Sequence, residues 1–148
     1  MEAAFALGYE ALFWVQEALG VQVAHTSFTV EGVLIFLPSS KTDQFRKGVS
    51  MLLRGPRLCS LLRQLCANKA PQEQLFGISA SLLNALIRQA AAYWGWSGYY
   101  SFHSLRHGRA TDIWLATSSL EAVMRAGRWS TKAAARWYVH VLQCPELD

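Results

Sequence analysis

From residue 80 onward the sequence is punctuated as a series of helices, and that punctuation limits the chain to a mainly helical fold. Leu83, Leu86, Ile87, Ala90 and Trp94 recur at the spacing that puts side chains on one helix face, and Gly95 stands where such a helix stops. A loop through Ser97 and Gly98 leads to a helix that begins near His103 and runs to about Ala116. Ser118-Ser119-Leu120-Glu121 is a capping-box pattern, in which hydroxyl and carboxylate satisfy the free N–H groups of a first turn. The helix it starts ends at Gly127, and a last helix covers roughly 131–143.

The first half is mixed. Residues 2–19 read as one amphipathic helix with Phe5, Gly8, Leu12, Val15 and Leu19 on a stripe and Gly20 just past its end. Phe28-Thr29-Val30 and Val33-Leu34-Ile35-Phe36-Leu37 flank Glu31-Gly32 as a hairpin, followed by the polar loop Ser39-Ser40-Lys41-Thr42-Asp43 and a third strand, Val49-Ser50-Met51-Leu52-Leu53. Pro56 opens a helix to about Asn68, and Pro71 marks a linker. The expected fold is therefore α+β, mainly helical, with a small antiparallel sheet near the N-terminus, in one domain over residues 1–148. A chain of 148 residues with 52% hydrophobic side chains suffices for one sizeable core.

Composition excludes several classes. Apolar runs are too short to span a bilayer, and no basic segment precedes an apolar one at the start, so an unexported protein with no membrane partner is expected. Cys59, Cys66 and Cys144 are odd in number and form no C-x-x-C pair, which indicates buried free thiols rather than a disulfide framework or a metal site. Charge is unevenly spread. Residues 1–40 carry four Glu and no Lys or Arg, residues 41–102 carry eight basic and two acidic side chains, and residues 103–148 carry six and four. The basic part could face a polyanion, although so modest an excess also suits an ordinary solvated surface.

Chemistry concentrates between His103 and Tyr138. His103 and Arg106 stand three apart and project from one helix face, where both can reach one small anion. Trp129 follows Arg106 by 23 residues and Tyr138 follows Trp129 by nine. With 6 Trp and 5 Tyr in 148 residues, both falling at two preset positions by accident has a probability of roughly one in a thousand. Taken singly, Tyr138 and Trp137 could be core and His103 with Arg106 a surface pair; the joint spacing argues otherwise.

This pattern resembles the catalytic domain of the tyrosine recombinases, the phage-integrase and Cre-like family. The wording HSLRHGRAT, AGRWS and WY is also similar to recombinases of DIRS-type retroelements. The resemblance implies site-specific recombination or integration of DNA through a 3′-phosphotyrosine intermediate. Tyr138 would be the nucleophile, Arg106 the phosphate grip, His103 a proton-exchanging or hydrogen-bonding partner, and Trp129 an N–H donor packed beneath the Tyr138 helix. Lys41 would protonate the departing 5′ oxygen, with Lys47 as the alternative between the same strands. The implied partner is double-stranded DNA, with self-association on it allowed, and the implied location is wherever DNA is held, the nucleus of a eukaryote or the cytoplasm of a bacterium. No metal, cofactor or small-molecule substrate is implied.

Three departures qualify the resemblance. The family carries an arginine followed three residues later by a carboxylate in its first helix; here Glu17 keeps the supporting carboxylate, but Trp14 stands at the arginine position. The family's N-terminal core-binding domain is expected to be absent, since the residues at hand read as catalytic domain from the start, and ten residues of the sequence follow Tyr138. Indole cannot replace the lost charge, so an impaired recombinase is expected. The other reading is a non-catalytic DNA-binding remnant of a mobile-element recombinase, and a third is a type IB topoisomerase-like enzyme.

Overall fold

A computed structural model describes residues 1–39 and 47–139. Seven helices and a three-stranded antiparallel sheet form α1 (Glu2–Glu10), α2 (Val15–Gly20), β1 (Thr26–Phe28), β2 (Val33–Leu37), β3 (Val49–Leu53), α3 (Pro56–Cys66), α4 (Ala80–Tyr93), α5 (Phe102–Thr117), α6 (Leu120–Gly127) and α7 (Lys132–Tyr138), all counted among the described residues. The α+β, mainly helical expectation holds. Among these residues no helix is long and apolar enough to cross a membrane.

The sheet has the order β1-β2-β3, with Phe28 opposite Val33 and Val33 opposite Leu53. Along β2, Val33, Ile35 and Leu37 are buried while Leu34 and Phe36 are exposed, as the two-residue period of a one-sided sheet requires. The hairpin turn forms at the expected place but takes more of the chain, since β1 ends at Phe28 and Thr29 bonds across to Gly32. Gly32 has φ 149°, and a Cβ there would lie 2.1 Å from the Leu53 carbonyl oxygen, so only glycine fits.

The helix expected over 2–19 is two helices. Ala11, Leu12 and Phe13 are all buried, whereas three consecutive positions of a straight helix sweep about 200° and cannot share one apolar face. The chain breaks instead, with Leu12 at φ 52°. Ala11 and Phe13 join the core formed by α1, the sheet, α3 and the start of α4, while Leu12 joins a second core with Ala110, Val123, Trp129, Ala135 and Val139. Burying such side chains contributes about 1.5–3 kcal/mol each, so the kink fastens two cores at one point.

Helix α4 keeps Leu83 inside, but Trp94, expected inward, is exposed beyond its end, because the helix stops at Tyr93 and the chain turns there. Cys59 and Cys66 are free and only half-buried; Cys59 donates to the Leu53 carbonyl at 3.3 Å. The last helix, expected over roughly 131–143, ends at Tyr138 with Val139 extended, and Cys144 lies outside the described residues.

Candidate active site

The site lies on the seam between the two cores, and the broken first helix builds one wall of it. Trp14 caps α2 in extended conformation, and Glu17, three residues on, accepts the Trp14 backbone N–H at 2.9 Å. That capping contact fixes the Glu17 carboxylate close to the kink.

Helix α5 forms the floor. Ser104 accepts the Ser101 N–H at 3.0 Å and Asn84 accepts the Phe102 N–H at 2.7 Å, so the start of α5 is held before the site residues begin. The close approach of α1 requires Gly8, where a Cβ would meet the Phe102 ring at 2.6 Å. His103 and Arg106 then project from one face, as their spacing predicts.

Among the described residues, Arg106 is the largest fully buried side chain. Its guanidinium donates to the Leu12 carbonyl, freed by the kink, and to the Gly127 carbonyl at 3.3 Å. Three aromatic rings surround it, with Cζ 4.5 Å from the Trp14 centroid, 4.8 Å from Trp129 and 5.4 Å from Tyr138. Burial, reinforced by the like charge of Arg128, lowers its pKa from the ordinary arginine value to about 10, against the opposing influence of Tyr138 and Glu17. At neutral pH it is still a cation.

Trp129 and Tyr138 come from the other wall. Helix α6 ends with Arg128 in left-handed conformation, φ 59°, and the Trp129 N–H bonds back to Met124 at 2.9 Å. This fold-back needs Gly127, since a Cβ there would lie 2.0 Å from the Trp129 ring. Thr131 caps α7 by accepting the Ala134 N–H at 3.1 Å. Tyr138 at the end of α7 stacks on Trp129 with centroids 4.5 Å apart, and its ring also faces His107 at 4.6 Å and His103 at 5.3 Å.

Residues separated in sequence by more than 120 positions thus meet: Trp14, Glu17, His103, Arg106, Trp129 and Tyr138 share one cluster. Lys41 lies outside the described residues. Lys47 is exposed, two residues before β3. Sequence reasoning missed two members. His107 received no role, yet it packs closer to Tyr138 than His103 does; the i, i+4 relation to His103 was the available signal. Arg128 was not singled out, and it clamps Glu17 through both oxygens at 3.0 and 2.8 Å. Only its position beside Trp129 could have drawn notice. His103 and His107 also line an apolar groove of about 870 Å³ between α1, α4 and α5, together with Tyr9, Ile87, Trp96 and Tyr100.

By sequence the chain matches no protein-family model and no curated protein. By structure it is similar to solved site-specific recombinases. XerH bound to palindromic difH substrate in a post-cleavage complex superposes with TM-score 0.74 at 18% identity, over 94% of this chain and 41% of that one. The XerH pre-cleavage complex with difH gives 0.74 at 18%, over 93% and 42%. XerA recombinase gives 0.73 at 16%, over 93% and 52%. The fold is that of a tyrosine-recombinase catalytic domain. This chain spans about half or less of the length of those recombinases.

Proposed function

We propose that the chain is the catalytic domain of a tyrosine-type DNA recombinase, a strand transferase from an integrase or mobile element that cleaves and rejoins DNA. The observation that carries this reading is the packing of Tyr138 against His103, Trp129 and Arg106, the residue types and order that the resemblance to the tyrosine recombinases implies for this chemistry. The Tyr138 oxygen attacks a DNA phosphorus, the phosphorus–5′ oxygen bond breaks, and a phosphotyrosine forms on the 3′ side. The phenolic proton passes to His103 or, by proximity, His107, and the departing 5′ oxygen takes a proton from Lys41. Arg106 offsets the charge that grows on the non-bridging oxygens. The bond energy kept in the phosphotyrosine drives religation, so no nucleotide cofactor is needed. Double-stranded DNA is the partner, and chains meet on it.

The test is relaxation of supercoiled plasmid, which needs no knowledge of a target site. The native chain, Trp14→Arg, and Trp14→Arg with Tyr138→Phe are compared. Relaxation that disappears with Tyr138→Phe supports the reading. Relaxation by none of the three, together with salt-sensitive DNA binding that Tyr138→Phe leaves unchanged, favours the non-catalytic remnant.

A further inference from the structure

We propose that Arg128 is a phosphate-binding residue of this site, supplying the second guanidinium that Trp14 cannot. The inference rests on the reading of the cluster as a phosphoryl-transfer centre. The resemblance pairs Glu17 with an arginine three residues before it. With indole at that position, the Glu17 oxygens instead hold the two terminal nitrogens of Arg128, brought from the end of α6, 111 residues away.

The placement of Arg128 brings two cations together. Its Nη2 approaches the Leu12 carbonyl at 3.4 Å, the same oxygen that accepts from Arg106. The two guanidiniums therefore converge on one backbone atom, and the Nε of each is buried with no hydrogen-bond partner. Converging like charges oppose each other unless an anion lies between or beside them. Glu17 offsets one of the two, so the trio carries a single net positive charge, the complement of one phosphodiester.

Burial separates this pair from an ordinary surface salt bridge. The Arg128 and Glu17 side chains are 12% and 7% exposed, whereas those of Arg57 and Glu2 are 81% and 52%. Water screens the former far less, so its field reaches a neighbouring oxyanion. The backbone points the same way. Arg128 occupies a left-handed conformation at φ 59°, which a residue with a Cβ adopts at a cost that glycine does not bear. Strain accepted at a site-lining position is understandable if the side chain is what the position needs.

The test uses inorganic orthovanadate, a small phosphate-like anion, titrated into the full chain by calorimetry. Four proteins are compared: native, Arg128→Lys, Arg128→Gly, and Arg128→Gly combined with Glu17→Gln. Glycine relieves the backbone, and the double variant leaves no orphaned carboxylate, so a folded protein is obtained even if the single one fails. The expected result is vanadate binding by the native chain that falls about tenfold or more in the double variant, with Arg128→Lys in between because it keeps charge but loses the planar fork. Equal binding by native and double variant, equal binding by native and Arg128→Lys, or no binding by the native chain overturns the proposal. Plasmid relaxation, read in both the native and the Trp14→Arg background, separates this from the underlying reading. Relaxation that Arg128→Gly leaves unchanged in either background rejects Arg128 but keeps the recombinase, while Arg128-dependent vanadate binding without relaxation in either background rejects the recombinase but keeps the anion site.

Discussion

Trp14 lies face to face with His103, ring centroids 4.7 Å apart and 21° from parallel, while its ring also covers the Arg106 guanidinium at 4.5 Å. The residue that stands where the resemblance places a cation is therefore part of the site, layered between its first histidine and its buried arginine.

Replacing Trp14 tests that exchange. One preorganised donor at a charged transition state is worth about 2.7–4 kcal/mol, two to three orders of magnitude in rate. Trp14→Arg is expected to raise the rate of Tyr138-dependent covalent adduct formation, by less than that full range because Arg128 already lies beside Glu17. The measurement is gel-shift or denaturing-gel quantitation of protein–DNA adduct. Equal yields from both proteins sink the idea.

Tyr138→Phe removes one hydroxyl and leaves the stack on Trp129 in place. Adduct formation and plasmid relaxation should vanish, while DNA affinity measured across a salt series and the melting temperature stay close to native. A large fall in melting temperature would mean that the hydroxyl is structural.

The Arg106 pKa of about 10 sets opposite trends for folding and for anion binding. Because the folded value lies below the ordinary arginine value, the unfolded chain holds more protons than the folded one as pH rises above about 10. This group's contribution to stability therefore rises with pH in that window. Anion binding moves the other way, since the guanidinium discharges. Orthovanadate affinity should fall as pH passes about 10 in the native chain, and Arg106→Met should show weak binding without that step.

Gly127→Ala puts a methyl group into the Trp129 ring. The ring must move off Tyr138, at a cost of about 1–3 kcal/mol, which corresponds to a melting temperature lower by roughly 2–4 °C per kcal/mol. Thermal denaturation gives the first number, and altered tryptophan fluorescence reports the displaced ring. An unchanged melting temperature would contradict the tight fold-back.

Much of this molecule was legible before any coordinates. The helices after residue 80, the hairpin at Glu31-Gly32 and the shared face of His103 and Arg106 follow from local periodicity and punctuation, which depend on neighbours a few residues apart. The spacing of Trp129 and Tyr138 was legible for the same reason, as each is set by helix lengths. The break at Leu12 was not, because it exists to send Leu12 into one core and Phe13 into another, and those cores form only when distant helices pack. The Leu12 carbonyl that Arg106 uses is a product of that break. Nor could the sequence pair Glu17 with Arg128, since a carboxylate chooses its cation by proximity in space and 111 residues separate them. The sequence determined which groups the site contains; tertiary packing decided which of them touch, because desolvation and charge act over ångströms of space and not over positions in a chain.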